Sequence, residues 1–406
     1  MLFKDFVEIN PSVKLTKDAN YPFVRMEDIT PGRRYVSASI VRMAGGGAKF
    51  SHGDTLFARI TPCLQNGKIS QFRAKSGQLG FGSTEYWVFR AREGISDPSF
   101  IYYLANSHLI RKTAEKSMVG ASGRQRAIIG AIEDLKIDAP TLKNQRQIAA
   151  ILSAYDDLIE NNSRRIAILE EMAMQIYEEW FVNYRFPGHE AVPLVESELG
   201  PVPEGWDVVS AADAVEVNPK VKVPKEGEKP FAPMGCLSEV NMLISNVEER
   251  AGNSGAKFQN GDTLFARITP CLENGKTAYV QFLPSPESVA FGSTEFIVLR
   301  SKKLTPEFVY LLARSDSFRN NAIKSMAGSD GRQRVKEACF ASYMLALPDA
   351  KTLEKFHGMV HPMFDMIYVL ARKNENLRQT RDLLLPRLIS GELDVSTMPV
   401  PEDMAA

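Results

Sequence analysis

The chain is 406 residues long, 44% hydrophobic and 9% aromatic, with 49 Lys and Arg balanced by 49 Asp and Glu. This composition fits two or more globular domains with real cores, and no apolar run approaches the roughly 18 residues a membrane helix needs. Met1–Asn20 lacks a signal-peptide pattern, so a cytoplasmic protein is expected, and the four cysteines, Cys63, Cys236, Cys271 and Cys339, without a CxxC pair, are expected to be buried free thiols rather than metal ligands.

Charge is unevenly distributed along the chain. Lys and Arg outnumber Asp and Glu 20 to 13 over residues 1–140, fall behind 5 to 11 over 141–204, and balance 17 to 16 over 205–348. Only the first block resembles a polyanion binder by charge alone.

The dominant feature is an internal repeat. VEINPSVKL at Val7 returns as VEVNPKVKV at Val215, and GDTLFARITPCLQNGK at Gly53 returns as GDTLFARITPCLENGK at Gly261. FGSTEYWVFR at Phe81 returns as FGSTEFIVLR at Phe291, and SMVGASGRQR at Ser117 as SMAGSDGRQR at Ser325. A unit of about 200 residues is far too long for a solenoid repeat and predicts two similar domains in one chain.

In chain order, DTLFARI and EYWVFRA, with EFIVLRS in the second copy, are β-branched and aromatic runs bounded by Gly, Pro and Asn, and predict strands. Asn66-Gly67 and Asn274-Gly275 predict tight hairpin turns. PSFIYYLANSHLIRKTAE and PEFVYLLARSDSFRNNAI each predict a helix opening at a proline. The loops GASGRQR and GSDGRQR then lead to a further strand ending at Pro140 or Pro348.

Beyond each of those prolines, steps of four and three pick out Ile148, Leu152, Tyr155, Ile159, Ile166, Leu169, Ile176 and Trp180. The second copy steps through Phe356, Val360, Met363, Ile367, Leu370, Leu377, Leu384 and Leu388. A sustained 3.5 period predicts two long helices that pair as a coiled coil, the first running from near Asn144 to Phe181, roughly 55 Å at 1.5 Å per residue. Pro362 should kink the second helix or mark a late start. Asp156, Asp157, Glu170, Glu171, Glu178 and Glu179 fall outside the apolar stripe, as a solvated face or a docking surface. The fold class is α+β, with two tandem mixed α/β domains each followed by a long helix. The boundaries are 1–140, a helical region at 141–190, a second mixed domain at 191–348 with its linker at 187–205, a second helical region at 349–395, and a flexible tail at 396–406.

No catalytic constellation emerges. Gly275-Lys276-Thr277 imitates the end of a phosphate loop, but Pro270 stands where its first glycine belongs. HExxH, G-x-S-x-G and the dinucleotide fingerprint are missing from the sequence. His357 and His361 are spaced i, i+4, but the sequence offers no evident third ligand, so no metal site and no catalytic residue are expected.

Pro140–Phe181 resembles the central conserved helix of type I restriction-modification specificity subunits. LLPRLISGELDV at Leu384 resembles the close of their C-terminal conserved region. GDTLFARITPCLENGK with FGSTEF is similar to one class of their target-recognition domains, and LGPVPEGW at Leu199 to their usual lead-in. The resemblance implies two target-recognition domains that each read half of an asymmetric bipartite site in double-stranded DNA. It implies an antiparallel helix pair acting as a ruler. It further implies two methyltransferase subunits that bind S-adenosylmethionine and methylate adenine at N6, and a restriction and motor subunit that uses ATP and Mg. This chain itself would hold no cofactor and catalyse nothing.

Segments identical in both copies cannot distinguish two half-sites, so they should be scaffold or phosphate contacts. The candidates are Arg59, Lys68, Arg124, Gln125 and Arg126, with Arg267, Lys276, Arg332, Gln333 and Arg334, since Arg and Lys suit phosphate and guanine and Gln suits adenine. A second role is open to Arg59 and Arg267, as partners of Glu85 and Glu295 inside the fold. Base choice should lie where the copies diverge, Arg33–Gly47 against Asn241–Ser254 and Ile69–Leu79 against Thr277–Val289. The rival reading is an adaptor whose twin domains bind two copies of a protein, and it calls for apolar rather than basic divergent loops.

Overall fold

TLFA occupies Thr55–Ala58 and Thr263–Ala266, and every residue of both strands is buried, which requires both faces of the sheet to be covered. The structure is a computed structural model that describes residues 1–329 and 331–398. Thr55–Ala58 lies third in a sheet ordered Val7–Ile9, Tyr86–Ala91, Thr55–Ala58, Ile69–Phe72, Tyr35–Val36. Its two direct neighbours are antiparallel to it. Strand alternation then sorts the side chains. Leu56, Phe72 and Val88 point to a cluster with Val24 and Phe50, which come from a second sheet ordered Ile40–Met43, Asn20–Val24, Leu79–Gly82, Ala48–Ser51. Phe57, Ile69, Trp87 and Phe89 point the other way, to Phe100, Ile101 and Leu104 of the Pro98–Asn106 helix. Each such large side chain contributes about 1.5–3 kcal/mol by leaving water.

The second copy repeats this three-layer plan. One sheet runs Val215–Val217, Phe296–Ser301, Thr263–Ala266, Thr277–Tyr279, and the other Glu248–Ala251, Glu228–Ala232, Ala290–Gly292, Ala256–Phe258. At the place of Tyr35–Val36, where the copies diverge in sequence, the second copy has, among the described residues, only an isolated bridge between Leu237 and Ile244.

The shared motifs have local causes. Asp54 of GDTLFA is buried and takes both guanidinium arms of Arg90 at 2.8 and 2.6 Å, and Asp262 takes Arg300 at 2.7 and 2.7 Å. Asn10 and Asn218 of the NP motif sit at φ +51° and accept from the backbone N–H of Val88 and Val298 at 3.0 Å. Gly47 and Gly255 combine a positive φ with a backbone so close to the Gly82 or Gly292 carbonyl that a Cβ would overlap it.

Several expectations are corrected. The helix expected from Pro98 is two helices, Pro98–Asn106 and His108–Lys116, because Ser107 turns extended (ψ 152°) and caps the second with its hydroxyl. Ser315 does the same between Pro306–Arg314 and Asp316–Lys324. The Asn-Gly pairs are not two-residue hairpins. Residues 59–68 form one long connection, coiled by bonds such as Leu64 N–H to the Ile60 carbonyl at 2.9 Å, with Gly67 backed on the Arg111 guanidinium. The strand expected before Pro348 is Met344–Leu347, paired with Asp207–Ser210. Before Pro140 only a single bridge from Lys136 to Leu2 forms, the counterpart of the last pair of that ladder.

The central helix spans Leu142–Tyr177 and ends in a π-helical turn at Glu178–Val182. The C-terminal helix spans Ala350–Ile389 without a break at Pro362, so the proline marks no late start. Asp349 caps the Thr352 N–H at 3.0 Å, and Phe356 and Val360 are fully buried, which fixes the turns before the proline.

By packing, the chain forms two units, Met1–Asn161 with Asn374–Ala406, and Asn162–Lys373. In the first unit Ile148 and Leu152 share a cluster with Leu384, Leu385, Leu388 and Ile389, and Asp156 pairs with Arg381. In the second, Ile166, Tyr177 and Trp180 share one with Phe356, Val360, Ile367 and Leu370, and the Trp180 and Phe356 rings lie 6.0 Å apart. Within each unit the earlier part of one helix meets the later part of the other, the antiparallel sense. Of the stripe residues, Ile159 is also buried, while Tyr155, Leu169, Ile176, Met363, Leu377 and Leu384 are half-buried.

Two acidic residues placed on the outer face are not there. Asp156 is buried, accepting from the Tyr103 hydroxyl at 2.6 Å and from Arg381. Glu170 is partly buried and accepts the Met242 N–H at 2.6 Å. Of the tail expected at 396–406, residues 399–406 lie outside the described residues. No helix among the described residues is long and apolar enough to cross a membrane.

Candidate nucleic-acid interface

In both copies the RQR loop is pinned to the ARITP segment. Thr61 N–H donates to the Gln125 carbonyl at 2.9 Å, Gln125 N–H to the Thr61 hydroxyl at 2.9 Å, and Ala127 N–H to the Arg59 carbonyl at 2.8 Å. The second copy repeats these with Thr269, Gln333, Val335 and Arg267 at 3.1, 3.1 and 2.8 Å. The structure therefore brings Arg59, Arg124, Gln125 and Arg126 together, and likewise Arg267, Arg332, Gln333 and Arg334.

The glutamate of FGSTE organises each group. Arg126 grips Glu85 through two nitrogens at 2.7 and 2.9 Å, and Arg59 Nε reaches the same carboxylate at 3.2 Å. Hydrogen bonding from Arg126 is the largest favourable influence and holds the Glu85 carboxyl below its ordinary value. Arg334 grips Glu295 at 2.6 and 2.9 Å and lowers it in the same way. Arg267 departs from its twin, since its nearest carboxylate is Glu337 at 3.5 Å, a residue whose repeat equivalent is Ile129. The partner expected for Arg59 is present; the partner expected for Arg267 is taken by Arg334 instead. That the second arginine of RQR would claim the glutamate carried no signal in the sequence, because the two are 41 residues apart.

Lys68 and Lys276 stand apart from these groups. Lys68 Nζ donates to the Met26 carbonyl at 2.7 Å and Lys276 Nζ to the Met234 carbonyl at 3.3 Å, so each ties its loop to a 3-10 turn, Met26–Asp28 or Met234–Cys236. Arg124 and Arg332, in contrast, are exposed at the loop tips, and neither side chain has an ion pair or hydrogen bond among the described residues.

Of the divergent segments expected to carry base choice, Arg33–Gly47 and Asn241–Ser254 contain the exposed edge strands Ile40–Met43 and Glu248–Ala251, whereas Ile69–Leu79 and Thr277–Val289 begin with strands, Ile69–Phe72 and Thr277–Tyr279, that are buried in the other sheet. In the first copy Ile40–Met43 presents Val41, Arg42 and Met43, with Arg42 stacked on Phe23 at 4.5 Å. In the second, Glu248–Ala251 presents Glu248 and Glu249 beside Arg250, stacked on Phe231 at 3.8 Å. The two edges share one arginine–aromatic platform and differ in everything around it, apolar in one and acidic in the other.

One grouping was missed. Glu307 lies against both His357 and His361, supplying the third donor that the sequence did not reveal, because it comes from a different helix about fifty residues earlier.

The family model for the type I restriction modification DNA specificity domain matches residues 4–171. The chain is 26% identical over 313 residues to the specificity subunit of the type I restriction enzyme MjaIX of Methanocaldococcus jannaschii, covering 74% of this chain and 70% of the relative. It is 31% identical over 235 residues to the EcoEI specificity subunit of Escherichia coli, covering 55% of this chain and 39% of that one. Among solved structures, the S subunit of a type I restriction-modification system from M. genitalium shares the fold with a TM-score of 0.53 at 14% identity, over 96% of this chain and 95% of that one.

Proposed function

We propose that the chain is a type I restriction-modification DNA specificity subunit, the reading supported by the matched specificity domain and the similar specificity subunits, and that its two repeated domains each read one half of an asymmetric, bipartite site in double-stranded DNA. It gives sequence specificity to a type I complex and leaves the chemistry to other subunits. Those are, in this proposal, two methyltransferase subunits that use S-adenosylmethionine to methylate adenine N6, and restriction subunits that use ATP and Mg, all working in the cytoplasm.

The observation that carries the reading is the pairing of an identical scaffold with a divergent edge. Both copies hold an exposed arginine, Arg124 or Arg332, on a loop fixed to the same backbone. A contact common to both copies serves phosphate, which is the same at every base pair, and the divergent edges serve base choice. Base choice would then come from the residues that differ around the shared platforms of Arg42 and Arg250, Val41 and Met43 in one copy and Glu248 and Glu249 in the other.

The central helix, Leu142–Tyr177, is about 54 Å long at 1.5 Å per residue. Two modules reading the same face of B-DNA sit roughly 34–36 Å apart, a spacing that a helix pair of this length can set. Half-sites of roughly 3 to 5 base pairs around a gap of about 5 to 8 follow from that. Inserting seven residues into both helices should lengthen the gap in the methylated motif while leaving the half-sites intact, and an unchanged gap would refute the ruler.

The exposed Val41 and Met43 favour the adaptor reading at the first edge. DNA binding by the assembled complex that weakens steeply with salt separates the two, since a protein adaptor has no counterions to release.

A further inference from the structure

The repeat puts the same pocket in both domains and fills it with opposite chemistry. In the first unit the backbone N–H of Gln71 donates to the Arg34 carbonyl at 2.7 Å; in the second, Tyr279 N–H donates to the Met242 carbonyl at 3.0 Å. These pairs are repeat equivalents, offset by 208 residues, so the two places correspond. In the first, the buried Arg34 guanidinium spans Ser99 (2.6 Å), Ser153 and Gln71 (3.2 Å), with Ala149 one turn before Ser153. At the same offset the second copy replaces Arg34 with Met242, Ser99 with Glu307, Ala149 with His357 and Ser153 with His361. The built-in cation is gone, and a carboxylate and two imidazoles stand around its place.

Their geometry is that of a chelating group. Glu307, the second residue of the Pro306–Arg314 helix, is 0% exposed, and a buried carboxylate requires positive charge or several donors. Its Oε2 lies 3.0 Å from His357 Nδ1 and its Oε1 2.7 Å from His361 Nδ1. The two rings are stacked with centroids 4.7 Å apart, as an i, i+4 pair on one helix face must be. Their side chains are 44% and 45% exposed, so an ion can enter from solvent, and Asp365 stands one turn on, 3.5 Å from His361 Nε2. Donors at bond lengths of about 2.0–2.2 Å put their ligand atoms roughly 3 to 3.5 Å apart, a few tenths of an ångström from the two carboxylate–imidazole spacings, and all three ligand atoms lie within 4.8 Å of one another. Imidazole with carboxylate selects zinc-class transition metals over Mg and Ca, which prefer all-oxygen shells.

We propose that Glu307, His357 and His361 bind a divalent transition-metal ion of the zinc class through the Nδ1 atoms of the two histidines, with water completing the shell and Asp365 beside the distal Nε2 of His361. The ion clamps the Pro306–Arg314 helix to the C-terminal helix within the second unit, the task that Arg34 performs in the first.

The test uses the full chain with no histidine tag, freed of metal by EDTA and titrated with Co²⁺ while the visible d–d spectrum is recorded, then with Zn²⁺ while thermal unfolding is followed. One Co²⁺ per chain with tetrahedral or five-coordinate absorption, and an unfolding temperature raised by Zn²⁺, are expected. Affinity should fall at least tenfold in His357→Ala/His361→Ala and in Glu307→Gln, and stay unchanged in His189→Ala. The wild-type chain with and without Zn²⁺ supplies a comparison that no variant's misfolding can confuse. Absence of stoichiometric Co²⁺ uptake by the wild type, or uptake equal in the double variant, overturns the proposal and leaves the two histidines as hydrogen-bonding partners of Glu307.

Discussion

Replacing Glu170 with Gln should stabilise the second unit at neutral and alkaline pH and leave it unchanged in acid. Glu170 is carried by the central helix and accepts the Met242 N–H at 2.6 Å. Burial is the largest influence on it and pushes its carboxyl up to about 7 from an ordinary 4.5, against the smaller opposing effects of the Met242 N–H and Arg314. The folded state therefore binds a proton that the unfolded chain has released between those two values, and stability falls as pH rises through that window. At about 1.4 kcal/mol per pH unit, the ionised side chain costs about 3 kcal/mol once the pH is above 7. Gln keeps the carbonyl that accepts the N–H and removes the charge, so it recovers that amount as an upper figure. Urea unfolding of both proteins at pH 4.5 and pH 8 is the assay. Trp180 and Trp206 report on the second unit, where both belong to its core cluster. A gain at pH 8 that vanishes at pH 4.5 supports the reasoning. A gain of equal size at both pH values, or a loss at pH 8, would refute it.

Other outcomes follow from the same arrangement of side chains. Asp156→Ala removes the buried partner of Arg381 in the first unit, a carboxylate to which the Tyr103 hydroxyl also points, and leaves the guanidinium the exposed Asp382 at 2.9 Å as its remaining carboxylate. Breaking a buried pair from one side costs about 3–5 kcal/mol when the remaining charge is uncompensated, and with Asp382 still paired the lower end of that range is the expected upper figure. Urea unfolding followed through Trp87, in the core of that unit, measures it, and a loss below about 1 kcal/mol would mean water reaches the pair. Arg124→Ala with Arg332→Ala should reduce the slope of log affinity against log salt by about 2 in DNA binding by the assembled complex, near 0.9 for each phosphate that is no longer neutralised. Fluorescence anisotropy against salt gives the slope directly, and an unchanged slope would place both arginines off the DNA.

The duplication, the central strands and the two long helices were legible because each is written in short-range pattern: a repeated segment, a buried apolar run, a sustained 3.5 period. Ser107 and Ser315 were not, because a serine between two apolar stretches reads as a tolerated helix residue until its hydroxyl is seen capping the next turn. The acidic positions divided for a related reason. Period alone assigned Asp156 and Glu170 to the outer face, whereas a guanidinium in the facing helix and a backbone N–H in a distant loop drew them inward. In the candidate interface, residue type put Arg124 and Arg332 among the candidates, and identity between copies marked the segments that form the shared scaffold. Neither could distinguish those two arginines from Lys68 and Arg126, because the carbonyl and carboxylate that occupy the latter cations come from segments 42 and 41 residues away. Glu307 escaped notice for the same reason, being brought to its histidines only by the packing of two helices.

The central claim is that this chain chooses the sequence at which a partner enzyme methylates adenine. Single-molecule mapping of N6-methyladenine across the host genome, with the gene intact and deleted, tests it most directly. Deletion should erase one bipartite motif, two short half-sites around a fixed gap, and leave every other methylated motif in place. A methylation map unchanged by the deletion, while the partner methyltransferase is expressed and active, would contradict it.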